Sequence, residues 1–259
     1  MISPRSDGVT EAQLWYIYGV VGDLGSCEFT ARGLRDERVS IVRHADLAAL
    51  VSPAPPDGCP VTLPNVVAHQ LVLQEAMLSR TVLPLRFGVV APNLNAVREQ
   101  LLRAQSTRLR ELLAHVAGKV EFVLKVSWHD QLVLQEIVAE NREIRTLRDS
   151  ILGQPEQQTR SKRILLGQMV DADLRAKRKR VAGRILAALS PLAHAMENGK
   201  TETEMMILNV SFLISAEAQT EIDKAVADLQ QEFGQRLMFN YLGPLPPYSF
   251  VNISLEVDR

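Results

Sequence analysis

VEFVLKVSWH, residues 120–129, places Val120, Phe122, Leu124, Val126 and Trp128 on one side of an extended chain and Glu121, Lys125 and Ser127 on the other. A period of two is that of a strand with one face on a core, so this stretch reads as a half-buried strand. After it, residues 131–151 carry Val133, Ile137, Ile144, Leu147 and Ile151 at helical spacing, and GQPEQQTRS breaks the pattern. A longer helix is predicted over about 162–196, with Val170, Leu174, Val181, Ile185, Leu189 and Leu192 as its apolar seam. Asn198 and Gly199 supply its end.

The next run, TETEMMILNVSFLIS, is a strand whose apolar face is Met206, Leu208, Val210, Phe212 and Ile214, and a helix over about 218–233 follows, stopped by Gly234. Two last strands are predicted at 236–242 and 249–257, flanking YLGPLPPYSF, residues 241–250. Gly243 permits positive φ while Pro244, Pro246 and Pro247 fix φ, so the stretch reads as a rigid hairpin connector, with a partner-contact loop as the alternative. Tyr241, Tyr248 and Phe250 are its expected anchors on the sheet. The order from residue 119, strand, long helical segment, strand, helix, strand, strand, resembles a ferredoxin-like α+β sandwich with altered connections.

The first half opens on LWYIYGVV, residues 14–21, rich in β-branched and aromatic side chains and followed by Gly22, Asp23 and Gly25. Further short strands are expected at 27–31, 38–43 and 46–52. PAPPDGCPVTLP, residues 53–64, cannot continue strand or helix because its prolines remove backbone donors. Asn65 is the expected cap of the next helix, in which Val67, Leu71, Gln74 and Leu78 with Val66, Leu73 and Met77 form one broad apolar face. TVLPLRFGVV, residues 81–90, reads as a strand, with Pro84 suggesting an edge or a bulge. Asn93 starts another helix and Gly118 stops it. The expected division is an N-terminal α+β domain at 1–118 and a C-terminal ferredoxin-like domain at 119–259.

Of the 259 residues 46% are hydrophobic and 23% charged, enough apolar surface for a core in each domain, and the formal net charge of -1 gives no global attraction to nucleic acid or an anionic membrane. No stretch is long and apolar enough to span a bilayer, and Cys27 and Cys59, too few and too far apart for a thiolate zinc cage, read as free thiols of a reducing compartment. The protein is expected to be cytoplasmic. Gly19, Gly22 and Gly25 do not open a helix and fit a hairpin turn better than a phosphate loop. The five histidines, His44, His69, His115, His129 and His194, lack metal-ligand spacing, and Asp130 beside His129 suits a helix cap. The densest basic run, Arg175 to Arg180, has no interleaved aromatics and reads as a solvated helix face ahead of a docking surface for an acidic protein, with nucleic acid last. No catalytic, cofactor or metal site is expected.

Pro84-Leu85-Arg86-Phe87-Gly88 and Gly243-Pro244-x-Pro246-Pro247-Tyr248-Ser249-Phe250 stand apart from this ordinary background. Arg86, between two apolar neighbours, is expected exposed or paired with a carboxylate. With LWYIYGVV before them and KVEFVLKVSW between them, these motifs occur in the order seen in the gas vesicle protein F/L family, which the chain resembles over about residues 14–257. The resemblance implies a non-enzymatic, two-domain protein of gas vesicle assembly that binds the small hydrophobic main shell protein and other accessory proteins and stays associated with the shell. It does not separate F from L. Pro84, Arg86, Phe87, Gly88, Gly243, Pro244, Pro246, Pro247, Tyr248 and Phe250 are then structural or partner-contact residues, and an exposed sheet edge is the expected contact mode. The alternative is a small-molecule sensor or enzyme using the ferredoxin-like sheet.

Overall fold

β1, Trp15–Gly22, is buried along its six central residues. A strand covered on both faces needs apolar side chains throughout, and WYIYGVVG supplies them without alternation. The structure, a computed structural model, describes residues 13–22, 29–56 and 58–255. Its contacts divide it into two units, one running up to Val120 and resuming at Leu245, the other Glu121–Pro244. The segment from Leu245, placed on sequence with the second domain, therefore groups with the first.

In the first unit the strand order is β2-β3-β1-β4, with β2 at Ser40–His44, β3 at Leu47–Pro53 and β4 at Val82–Pro84, and β5, Val90–Ala91, also pairs with β1. The single strand expected at 81–90 is thus two. Leu85 N–H still donates to Tyr18 O at 2.9 Å and Ile17 N–H to Val89 O at 3.0 Å, so the chain keeps alongside β1 while Arg86-Phe87-Gly88 loops out, Gly88 having a φ of 94°. α1, Leu63–Met77, and α3, Ser106–Val116, both pack on β1 and β4. Between them a short α2, Leu94–Ala96, is capped by Asn93, whose side chain accepts from Ala96 N–H at 2.8 Å as expected, and runs into a π-helical turn at Val97–Arg103. Of the strand expected at 27–31, residues 27 and 28 lie outside the described residues, as does the turn at 23–28, and 29–31 are not a strand.

The second unit is a modified ferredoxin-like sheet covered by long helices. Its strand order, β7-β8-β6-β9, uses β6 at Lys119–Trp128, β7 at Ala195–Asn198, β8 at Met206–Ser215 and β9 at Leu237–Leu245. From the β9 edge this is fourth, first, third, second in chain order, the order of a βαββαβ sandwich. The helical segment after β6 is three helices, α4 at Asp130–Glu140, α5 at Arg142–Asp149 and α6 at Glu156–Leu189. Asn141 starts α5 by accepting from Glu143 N–H and Ile144 N–H. At 34 residues α6 is about 51 Å long. α7, Gln219–Phe233, packs on α6 and ends at Gly234.

Several expectations need correction. The cap of α1 is Thr62, not Asn65, which lies inside the helix and donates its side-chain amide to Pro60 O. His129 rather than Asp130 caps α4. α6 begins earlier and ends earlier than 162–196: Pro191, with no N–H to give, sits in a 3-10 turn at Ser190–Leu192, and the chain then forms β7, antiparallel to β8. Asn198 and Gly199 thus end a strand.

The prolines of YLGPLPPYSF do not stop β9, which runs through Gly243 and Pro244 to Leu245. No closing strand follows at 249–255, and 256–257 lie outside the described residues. Instead the side chains of Gln105 and Arg108 donate to Ser254 O at 2.9 Å and Asn252 O at 2.8 Å, satisfying carbonyls that a neighbouring strand would otherwise take. The hairpin reading of 241–250 therefore falls. The basic run is not uniformly solvated either: Lys177 is buried, 2.7 Å from Glu140 and 3.4 Å from Glu136 on α4.

Candidate partner-docking site

α1 carries apolar side chains on two sides. At about 100° per residue, His69, Val72, Leu73 and Ala76 fall in one arc and Leu63, Val67, Leu71 and Leu78, the residue capping its end, in the opposite one. The first arc is buried in the core of unit 1. The second is open: Leu63 is 78% exposed, Val67 45%, Leu71 50% and Leu78 87%, and Val61 just before the helix is exposed as well. The broad face expected from sequence is thus two faces, of which the structure covers one. A helix apolar on all sides normally lies inside a protein or against a partner.

The inner face is fixed by a polar network among aromatics. Tyr16 and Tyr18 of β1 meet edge to face at 4.8 Å, and the His69 ring lies 5.7 and 5.6 Å from them. Gly88 N–H donates to the Tyr16 hydroxyl at 3.2 Å, and that hydroxyl shares a hydrogen bond with His69 Nδ1 at 2.8 Å. Burial disfavours the imidazolium and lowers the His69 pKa from 6.5 to about 4, with the Leu85 backbone opposing weakly. Burial likewise pushes both tyrosine phenols up, against the hydrogen bonds each receives. Tyr18 accepts from Leu34 N–H at 2.9 Å and pairs with the Ser52 hydroxyl at 2.8 Å. Further along α1, burial raises the Glu75 carboxyl, but hydrogen bonds from Thr30 N–H, the Thr30 hydroxyl and Ala31 N–H, at 2.8, 2.9 and 2.6 Å, outweigh it and hold the pKa low.

Both sequence motifs reach this inner side. Phe87 stands 5.8 Å from Tyr16 and from His69. Tyr248 stacks on His69 at 6.4 Å and donates its hydroxyl to Gln70 Oε1 at 3.0 Å. Pro246 and Pro247 are buried, and Tyr248 N–H to Pro246 O and Phe250 N–H to Pro247 O form the turn that presents the ring. The remaining motif residues lie elsewhere. Pro84 is buried in β4 opposite Gly19, Phe250 is half-buried, and Arg86 is exposed with no carboxylate within ion-pair distance among the described residues.

Gly243 and Pro244 belong to β9 in the second unit. A Cβ at Gly243 would overlap the Phe122 ring, so only glycine fits beside that ring, on which Tyr241 stacks at 5.2 Å. Tyr241 also donates to Asp223 at 2.8 Å.

This arrangement fixes the position of α1 on the sheet. The His69 imidazole is neutral and enclosed, the phenols are held protonated, and what α1 offers to solvent is an aliphatic stripe with the exposed amide of Gln74 within it. Sequence spacing contained the signal for the outer stripe, in apolar residues occupying opposite arcs of one helix. It held none for the meeting of Phe87 and Tyr248 at His69 and of Gly88 at Tyr16.

The model of the family "Gas vesicle synthesis protein GvpL/GvpF" matches residues 14–252. The chain belongs to this family. It is 34% identical to gas vesicle protein F of a Streptomyces strain over 91% of this chain and 98% of that one, and 30% identical to gas vesicle protein F of a Nostoc strain over 92% and 98%. The crystal structure of the gas vesicle protein GvpF from an Anabaena strain superposes with a TM-score of 0.82 at 30% identity, covering 93% of this chain and 99% of that one. The family places the chain in a gas vesicle-related role, and no helix among the described residues is long and apolar enough to cross a membrane.

Proposed function

We propose that this chain is a non-enzymatic assembly factor of gas vesicle formation, which acts in the cytoplasm and at the growing shell. It holds the small hydrophobic main shell protein on the outer face of α1 and meets other accessory proteins through further surfaces. The observation that carries the proposal is the open stripe of Leu63, Val67, Leu71 and Leu78 on a helix whose opposite face is fully packed. Fully burying a leucine or valine contributes about 1.5–3 kcal/mol, so the exposed parts of these four hold roughly 4–8 kcal/mol in reserve. Association alone costs about 4–15 kcal/mol. The stripe therefore supports weak, reversible docking of an apolar segment, the behaviour required of a factor that releases its client to a shell. A sheet edge would add main-chain hydrogen bonds to such a complex.

Co-expression with the shell protein tests this reading. The wild-type chain is expected to co-purify with it and to raise its soluble fraction, and Leu63→Glu with Leu78→Glu is expected to abolish both while leaving thermal unfolding unchanged. Failure of the wild-type chain to co-purify refutes the shell-protein reading; undiminished capture by the double variant refutes the assignment to α1.

A further inference from the structure

On the second unit, independently of α1, a cavity of about 340 Å³ opens between α4, α6 and α7 and reaches the end of β6. Its charges nearly cancel. Lys177 takes up Glu140 and Glu136, and Arg184 makes two parallel hydrogen bonds to Glu232, at 3.1 and 2.6 Å. Arg236 lies over the Phe233 ring at 5.6 Å and reaches Glu136 only at 3.9 Å. Four cations thus line the cavity with three carboxylates, and the cation left over is Arg180, which makes no ion pair among the described residues. A second group in the lining also lacks a partner. Trp128 is 3% exposed, and its indole N–H is buried with no acceptor among the described residues. An indole nitrogen can only donate, and a buried donor left unsatisfied is costly and uncommon.

The surplus positive charge calls for one negative charge, and the indole N–H, closed off in this structure, is reached when the wall around it shifts. The apolar part of the wall, Val181 and the rings of Trp128 and Phe233, calls for hydrocarbon beside it. We propose that this cavity binds a single carboxylate, carried by an aspartate or glutamate side chain of a partner peptide with an aliphatic residue next to it. The peptide source follows from energetics. An ion pair with an exposed arginine is worth little by itself, so a free small anion would be held weakly, and useful affinity has to come from burial of neighbouring apolar groups. The cavity has room for one or two side chains and not for a folded domain.

The test uses the ¹⁵N-labelled full chain, with the indole signal of Trp128 distinguished from that of Trp15 by a Trp15→Phe variant. The probes are an N-acetylated, C-amidated Leu-Glu-Leu tripeptide, its Leu-Gln-Leu counterpart and sodium acetate. Leu-Glu-Leu is expected to move the Trp128 indole signal saturably, with Leu-Gln-Leu weaker by at least about threefold and Arg180→Gln weakening the glutamate peptide by about two- to fivefold, the loss of one exposed ion pair. Acetate is expected to move the same signal only at far higher concentration. An unmoved indole signal, or equal affinity for the two peptides, overturns the site. Unchanged affinity in Arg180→Gln overturns the role of the surplus charge, and acetate saturating at the peptide's concentration overturns the peptide as its source.

Discussion

His69 allows the packing of α1 to be read from the pH dependence of stability. Its folded pKa of about 4 lies below the 6.5 of an exposed imidazole, so between these values the unfolded chain binds a proton that the folded chain refuses. Stability from this group is therefore complete above pH 6.5, falls as pH drops from 6.5 to 4, and levels off below 4. At about 1.36 kcal/mol per pH unit, the loss is about 2 kcal/mol between pH 7 and 5 and about 3 kcal/mol by pH 4. With His69 only 3% exposed, solvent screening removes little of this.

Asp46 and Glu75, whose pKa values are depressed, titrate below the window from pH 7 to 5 and do not obscure it. The variant to compare is His69→Asn, which keeps a hydrogen-bonding atom near Nδ1 for Tyr16 but does not titrate. Urea unfolding in a Trp128→Phe background leaves Trp15, on β1, as the single indole reporter. The expected result is a loss of about 2 kcal/mol from pH 7 to 5 with His69 present and almost none attributable to this site in the His69→Asn variant. Parallel curves for the two proteins would refute the burial of a neutral imidazole under α1.

Two further substitutions probe the family motifs. Gly243→Ala forces a methyl group into the Phe122 ring and is expected to destabilise the second unit by about 1–3 kcal/mol, read from Trp128 fluorescence during denaturation. Tyr248→Phe removes the hydrogen bond to Gln70 while keeping the stack on His69, and is expected to cost about 1 kcal/mol in the first unit, measured with Trp15 as reporter.

The fold was legible where one physical requirement dominated a segment. β6 shows its alternation because one side faces a core, and β1 shows an unbroken apolar run because both sides are covered. β7 was hidden because four residues carry too little pattern to stand against the helical seam preceding them; only Pro191 signalled the change. The last strand failed for a different reason. Residues 249–255 alternate acceptably, but a strand also needs a paired neighbour, and here side chains of Gln105 and Arg108 take the carbonyls. The buried Lys177 was concealed by its neighbours, since a charge run does not disclose which member turns toward Glu136 and Glu140. At the candidate site, helix periodicity reported one broad apolar face on α1 and did not separate the side the sheet takes from the side left open. The Tyr248–Gln70 contact spans 178 residues, beyond any local pattern.

Of the motif residues, Phe87, Gly88 and Tyr248 lie on one side of α1, and the residues proposed to dock a partner lie on the other. Phe87, Gly88 and Tyr248 gather at Tyr16, His69 and Gln70, where replacing them can reach a partner only by loosening or shifting α1. Lost vesicle formation in such variants, accompanied by lost stability, would say nothing about contact. The outer stripe has the opposite signature, because leucines 78% and 87% exposed contribute little to the fold that their removal could take away. A variant that folds as well as the wild type and fails to hold the shell protein is therefore informative only when the change lies at Leu63, Val67, Leu71 or Leu78. On the proposed reading, Phe87, Gly88 and Tyr248 support the docking surface and are not part of it.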